Sequence, residues 1–137
     1  MKADLITYLN SKSAITDLVV DRIAWDRIEQ GTAFPWIVLE QISNDDIAHL
    51  LAATGKAVKR IQINVYGTTS LSVANVADAI RTALHGFRGT MGAGHISSCF
   101  LDDERIVTED STTGKDQSIH GDQQDYLIGH TVTIPTF

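Results

Sequence analysis

The alternation of apolar and polar residues is clearest in the middle of the chain, where it predicts a strand followed by a helix. In residues 60–66 apolar and polar positions alternate, with Ile61, Ile63 and Val65 set against Arg60, Gln62 and Asn64. We expect the first set to face the core and the second to face water. The helix carries one apolar stripe, formed by Val73, Val76, Ala77, Ile80, Ala83, Leu84 and Phe87. Gly86 is placed to end this helix in a left-handed conformation.

The N-terminal pattern predicts shorter elements. Apolar residues within the first ten positions have helical spacing, and Ser13 is expected to cap a further turn through Leu18. Residues 19–25 predict a short strand. Residues 36–42, which follow Pro35, are apolar at both parities and predict an inner strand that is covered on both faces.

The remaining stretches lack such periods or belong to the C-terminal half. We interpret residues 43–57 as a loop, with a helical turn near 47–53, and the glycine-rich residues 89–94 as a flexible connection. Strands are expected near 95–108 and 124–134, and they resemble a long hairpin joined by a polar stretch.

The order of these elements indicates an α+β fold. It predicts a mostly antiparallel β-sheet with two main helices packed on one face and a long C-terminal β-hairpin. Residues 1–137 are expected to form a single domain, with flexible loops near 43–57 and 109–123.

Charge is distributed unevenly along the chain. Residues 1–101 carry equal numbers of acidic and basic side chains, so residues 102–125 hold the whole net charge of −6. No surplus of Lys and Arg is available for binding phosphates, which argues against a nucleic-acid-binding protein. The N-terminus is too polar for a signal-peptide core, and no apolar run reaches the ~20 residues of a membrane span. We therefore expect synthesis in the cytoplasm and no membrane partner.

Candidate catalytic groups are few. The G-x-S-x-G elbow and the P-loop pattern are absent, and the glycines at 89, 92 and 94 follow a helix when a dinucleotide loop would precede one. Cys99 lies four positions after His95, about 13 Å away along a strand, which favours a buried structural thiol over a catalytic pair. The histidines and acids lack metal-site spacing. We predict no catalytic, cofactor-binding or metal-binding residues, and no enzymatic activity.

The acidic segment and the aromatic residues are the features that suggest assembly. A polar connection from 109 to 123 is long for a hairpin, so it is either a mobile loop or an arm that orders against a neighbouring subunit. Its candidate assembly or channel-facing residues are Asp110, Asp116 and Asp122. Trp25 and Phe34 are candidate interface aromatics if they are exposed, and core residues otherwise.

The succession of short segments along the chain resembles a known family. A short helix is followed by residues 20–23 (VDRI), a turn with Gln30 and Gly31, and residues 34–39 (FPWIVL). Residues 60–66 (RIQINVY), a helix and the final strand pair complete the series. This order and spacing resembles the tail-completion proteins of long-tailed phages, which are also described as head–tail joining or tail-terminator proteins.

The resemblance implies a non-enzymatic structural protein of a phage or prophage tail. Members of the family form homo-oligomeric rings, commonly hexamers, that end the tail tube and contact head connector proteins. The implied location is the head–tail junction of the virion, with assembly in the bacterial host cytoplasm. DNA passes through the ring without specific binding, and an acidic channel wall would repel its phosphates.

Two alternatives remain open. One is another component of the head–tail neck, which would contact the connector and not the tube. The other, of a different class, is a small cytoplasmic ligand-binding or enzyme domain with a pocket between helix and sheet.

Overall fold

The computed structural model describes residues 2–29, 33–48, 53–92, 94–109 and 119–131. The elements within these ranges follow the order α1 (Lys2–Asn10), α2 (Ser13–Val19), β1 (Ile23–Trp25), β2 (Trp36–Ala48), β3 (Ala53–Gly67), α3 (Ser70–Leu84), β4 (Gly89–Met91), β5 (Gly94–Glu109) and β6 (Ile119–Thr131). The strands form one sheet with the spatial order β1-β2-β3-β6-β5-β4. β1 runs parallel to β2, and the other neighbours are antiparallel. This mixed, mostly antiparallel sheet with its helices is consistent with the predicted α+β class.

The core combines all three helices with alternate positions of the strands. Its most buried aliphatic side chains are Leu5, Leu9, Ile15, Ile37, Leu39, Ile61, Ile63, Val65, Val76, Ile80, Leu84 and Ile128. The apolar face predicted for β3 is confirmed, and so is the α3 stripe at Val73, Val76, Ala77, Ile80 and Leu84. Ala83 is only partly buried, and Phe87 packs on the core from beyond the end of α3. In β2, Ile37, Val38 and Leu39 are buried at both parities, which agrees with the predicted cover on both faces. The same prediction is wrong at the end of residues 36–42, because Gln41 and Ile42 are exposed.

Both ends of α3 are fixed by hydrogen bonds. The Thr69 hydroxyl accepts a hydrogen bond from the Ser72 N–H at 3.1 Å, which caps the N-terminus. Gly86 has a φ of +81° just past the C-terminus, and this confirms the predicted left-handed ending. The Gly86 N–H donates to the Cys99 carbonyl at 2.7 Å, so the end of α3 is attached to β5.

The strand predicted for residues 19–25 is wrong at its start. Val19 is the last residue of α2 and is fully buried in the core, so the apolar pair Val19 and Val20 begins in a helix and not in a strand. Val20 then has a φ of 60° and reverses the chain, and only Ile23–Trp25 forms β1. Ser13 is the first helical residue and not the cap, because Lys12 occupies the cap position without a side-chain hydrogen bond.

The loop predicted for residues 43–57 is also wrong wherever the structure describes it. β2 continues to Ala48 and β3 begins at Ala53, and the two strands pair along these ends. Register shifts between Gln41 and Ser43, and between Ile47 and Ala48, interrupt the alternation. A bulge of this kind moves the residues that follow it to the opposite face of the sheet. The alternation of apolar and polar residues is then no longer visible in the sequence. Residues 49–52 lie outside the described part of the chain.

Two further stretches belong to strands that the sequence does not predict. Gly89–Met91, expected to be a flexible connection, forms β4 and pairs with the start of β5. Residues 119–123, expected to be part of the polar connection, belong to β6; residues 120–123 pair with both β3 and β5, and Ile119 pairs with β5. Their backbone groups are satisfied on both sides, so polar side chains do not exclude them from the sheet. The predicted strand positions 132–134 and the connection at 110–118 lie outside the described residues.

Gly92 and Gly86 provide a matched pair for testing how α1 meets the turn after β4. Both have positive φ, +60° and +81°, so replacing either with Ala is expected to lower the free energy of unfolding by about 1–2 kcal/mol. A Cβ at Gly92 would also meet the Asp4 carboxylate of α1, whereas a Cβ at Gly86 has no neighbour within 4 Å. We expect Gly92→Ala to be the more destabilising variant in urea unfolding. Adding Asp4→Ala to Gly92→Ala should recover the difference, and equal losses for the two single variants would contradict the contact.

Candidate functional site

Polar side chains occupy the inner side of the β5–β6 pair, where the neighbouring inner positions are apolar. Strand alternation places Asp122, Gln124 and Tyr126 of β6 on the face that packs against α3. Their exposed fractions are 3%, 0% and 0%. Glu104 of β5 lies directly beside Gln124. These four residues, together with Arg81 of α3, form the inner polar cluster.

Gln124 is the centre of the hydrogen bonding in the inner polar cluster. Its Nε2 group donates to the Ala77 carbonyl of α3 at 3.1 Å and to Glu104 Oε2 at 3.0 Å. Its Oε1 atom accepts from the Tyr126 hydroxyl at 2.8 Å. Arg81 Nη2 donates to Glu104 Oε1 at 2.6 Å. The cluster therefore links α3 to both β5 and β6 through charge-assisted and neutral hydrogen bonds.

Asp122 and Glu104 form a carboxyl pair with opposite pKa shifts. Burial, the hydrogen bond with Glu104 and the negative charge of Glu104 raise the pKa of Asp122 to about 7. Burial opposes ionisation of Glu104 too, but hydrogen bonds from Gln124 and Asp122 and the charge of Arg81 outweigh it and lower the pKa of Glu104. Two adjacent carboxyls of this kind share one proton near neutral pH, because both cannot ionise without repulsion.

Of the three predicted channel-facing residues, the structure describes Asp122. Asp122 is buried against α3, so its carboxyl is not a surface charge of the folded chain. Asp110 and Asp116 lie outside the described residues, and their assembly role stays a prediction. The inner polar cluster is absent from the sequence predictions, although a signal for it exists. Continuing the alternation backwards from Tyr126 places Gln124 and Asp122 at inward positions.

On the outer face of the sheet, arginine side chains pair with other acidic side chains of residues 102–125. Arg60 of β3 donates to Asp102 at 2.8 Å and contacts Asp125 at 3.5 Å. The hydrogen bond with Asp102 raises the pKa of Arg60. Arg105 lies 3.8 Å from Asp103, and both of those side chains are about half exposed. The described part of the acidic segment is therefore largely paired within the subunit.

A cleft of about 340 Å³ opens on the outer face beside β1. Its lining residues are Asp26, Arg27, Ile28, Trp36, Val38, Glu40, Asn64, Tyr66 and Ile119. Phe34 stacks on Trp36 with ring centroids 4.1 Å apart, and Trp36 lies 6.4 Å from Tyr66. Asn64 is 3% exposed, so the outer face of β3, predicted to be wet, is buried at this position. The cleft is on the side of the sheet away from α3.

The two candidate interface aromatics are partly buried. Trp25 packs against the edge of the core, and its Nε1 group donates to the Lys2 carbonyl at 3.2 Å. The Lys2 ammonium lies 5.1 Å from the Trp25 ring centroid, within the range of a cation–π contact. Phe34 extends the aromatic row at the outer cleft. Their role at an interface stays a prediction.

Cys99 and the possible metal ligands are the groups to consider for catalysis among the described residues. Cys99 is 1% exposed, and burial raises its pKa to about 12, so the thiol stays protonated at neutral pH. This agrees with the structural thiol expected from the sequence. Within the described ranges no cluster of His, Cys, Asp or Glu is suited to a metal ion. No helix in the same ranges is both long and apolar enough to cross a membrane.

The carboxyl pair predicts how stability depends on pH. Because the folded-state pKa of Asp122 is raised, its contribution to stability is fully present below its unfolded pKa and is lost as pH rises through about 7. The lowered pKa of Glu104 acts in the opposite sense, and its contribution is lost only at acidic pH. We expect Asp122→Asn to remove a fall in melting temperature of roughly 5 °C between pH 5 and pH 8.

Differential scanning calorimetry of the wild type and Asp122→Asn over this range measures the effect. Asp17→Asn, at an exposed position of α2, is the matched control and should keep the wild-type slope. Parallel pH profiles for wild type and Asp122→Asn would contradict the shared proton.

Comparisons with known proteins agree with this fold. A chain of the structure described as "Virion of native gene transfer agent (GTA) particle" matches with a TM-score of 0.69 and 14% identity, covering 96% of this chain and 94% of that chain. A second solved chain matches with a TM-score of 0.51 and 17% identity, covering 98% and 95%. No match is found among curated proteins. The family model for "Tail completion protein gp17" matches residues 3–123, and the chain therefore belongs to the tail completion protein gp17 family.

Proposed function

We propose that this protein is a structural subunit of a phage or prophage tail, which forms a ring, ends the tail tube and joins it to the head connector. Family membership over residues 3–123 is the observation that carries this proposal. The likeness in fold to a chain of a gene transfer agent virion supports a place in the virion. The activity is binding, without catalysis, and DNA passes through the ring without being recognised.

Open strand edges supply the contacts between subunits in this proposal. β1 pairs only with Ile37–Leu39 of β2, so residues 40–48 have a neighbour on one side only within the described chain. At the other end of the sheet, β4 covers only the first residues of β5. Residues 102–109 of β5 therefore pair with β6 alone among the described strands. Unpaired edges of this length recruit further strands unless they are covered.

Exposed apolar side chains lie along both edges. Ile42 on the β2 edge is 51% exposed, and Ile106 on the β5 edge is 73% exposed. Phe100, just before the open part of β5, is 54% exposed and contacts the His85 ring. Opposite edges that meet between copies make a heterologous contact, which closes into a ring when the rotation between subunits allows it. The aromatic row at the outer cleft and Trp25 offer a separate surface to the tail tube or the connector.

Ile42→Lys tests the edge contact. A charge at this exposed position of the β2 edge should leave the monomer folded, because surface substitutions usually change stability by about 0.5 kcal/mol or less. We expect it to shift the protein from rings to monomers in sedimentation velocity at the same concentration. Val20→Lys is the matched control, since Val20 is 57% exposed but lies between α2 and β1. Equal ring formation by Ile42→Lys and wild type would contradict a contact at this edge.

Replacement of Asp110 and Asp116 tests the proposal that these residues belong to an acidic channel wall. Asp122 is left unchanged because it is buried beneath α3. We expect the Asp110→Asn, Asp116→Asn double variant to keep the wild-type melting temperature and ring size, since it removes charge without adding an apolar side chain. It should reduce the yield of particles that deliver DNA, because fewer negative charges repel the passing phosphates. An unchanged yield in a complementation assay would assign these residues to a solvated loop.

A further inference from the structure

The outer cleft has aromatic walls and accessible carboxylates. The ring centroids of Trp36 and Tyr66 lie 6.4 Å apart with the rings inclined at 56°, and Phe34 stacks on Trp36 at 4.1 Å. The acidic residues of the lining are Asp26, which is exposed, and Glu40, which is partly exposed. Neither carboxylate forms an ion pair with any residue that the structure describes. The cleft therefore presents two negative charges beside aromatic rings, in a volume of about 340 Å³.

Two other partly exposed aromatic rings of this chain each have a cation beside them. The Lys2 ammonium lies 5.1 Å from the Trp25 ring centroid, and the Lys12 ammonium lies 4.7 Å from that of Tyr8. Among the described residues no cation is placed in this way over the ring of Trp36. The attraction between a cation and an aromatic face is thus used within the subunit at Trp25 and Tyr8, and it is available to another molecule at Trp36.

A guanidinium group matches both parts of the outer cleft. Its plane stacks on an aromatic face while its N–H groups donate in pairs to a carboxylate, whereas an ammonium group is a compact, strongly hydrated charge. Arg27 is the basic residue of the lining, and this exposed side chain forms no ion pair within the described part of the chain. Two acidic side chains and one basic side chain give the lining a net charge of −1, so it attracts a cation although Arg27 is present.

We propose that the outer cleft binds an arginine side chain of another virion protein, which packs its guanidinium group on Trp36 and Tyr66 and donates hydrogen bonds to Asp26 and Glu40. The aliphatic stem of this arginine packs on the apolar side chains of the lining, as long cationic side chains do on apolar surfaces. The inference rests on the proposed function only for the source of the arginine, a protein of the tail tube or the connector.

Fluorine NMR of the isolated protein labelled with fluorotryptophan tests the site directly. The chain has two tryptophans, and Trp36 is the one that lines the cleft. In a titration with N-acetyl-argininamide we expect a saturable shift of the Trp36 signal and none of the Trp25 signal, because Lys2 already lies over the Trp25 ring. N-acetyl-citrullinamide carries a neutral urea group in place of the guanidinium and should cause no saturable shift. N-acetyl-lysinamide should bind more weakly than the arginine compound.

Two charge variants of the lining are expected to change the affinity for N-acetyl-argininamide in opposite directions. Glu40→Gln should weaken binding about threefold, and Arg27→Gln, which removes a like charge, should strengthen it about threefold, as expected for one exposed charge interaction. Asp17→Asn removes a carboxylate from an exposed position of α2 and should bind like wild type. An unchanged Trp25 signal in each variant shows that the fold is kept.

Several outcomes would overturn the inference. They are the absence of a Trp36 shift, equal binding of the citrulline or lysine compound, and wild-type affinity in both Glu40→Gln and Arg27→Gln. A change in the Trp36 signal when the protein alone is diluted would assign the cleft to a second copy of this chain and would also overturn it. Ring formation is measured separately, so failure of arginine binding with rings intact refutes only this inference, and loss of rings with arginine binding intact refutes only the proposed function.

Discussion

The pairing of β6 with β3 on one side and β5 on the other is the contact on which the rest of the described structure depends. β6 is the last of the described strands in sequence, yet it lies in the middle of the sheet. It joins the β1–β3 unit to the β4–β5 unit and forms the surface beneath α3. Because these pairings link distant parts of the chain, the fold has many nonlocal contacts, and such topologies form slowly.

The inner face of β6 both stabilises the packing of α3 on the sheet and fixes the position of this helix. Tyr126 and Ile128 contribute apolar area to the core, and apolar area alone tolerates sliding of a helix over a sheet. The hydrogen bonds of Gln124 to Ala77 and Glu104, and of Arg81 to Glu104, have partners only in one arrangement. The same bonds place the Glu104 carboxyl beside that of Asp122, so the contacts that position α3 also create a carboxyl pair that binds a proton.

Sequence periodicity predicts the parts of this fold in which side-chain alternation and burial coincide. It locates α3 by the stripe from Val73 to Leu84 and β3 by the alternation around Ile63. It fails at β2 beyond Gln41, where register shifts erase the alternation, and at β4, where three residues are too few to show a period. It fails again at residues 119–123, because those polar residues are held in β6 by backbone pairing on both sides.

The candidate site was less accessible to prediction than the fold. The count of acids in residues 102–125 suggests a single negative surface, but the structure distributes these acids to different environments. Asp102 and Asp125 pair with Arg60 on the outer face of the sheet. Glu104 and Asp122 lie on the face toward α3, where Asp122 is buried and Glu104 is partly exposed. The ion-pair partner of Glu104 is Arg81 of α3, more than twenty residues earlier in the chain, and the hydrogen-bond partner of Asp122 is Glu104 of β5. Assignment to the tail completion protein gp17 family rests on the family-model match over residues 3–123, and not on any residue of the candidate site. Electron microscopy of purified tail tubes mixed with the protein tests the proposed function most directly. The account predicts one ring at one end of each tube, while bare tube ends, or protein scattered along the tubes with only monomers in solution, would contradict it.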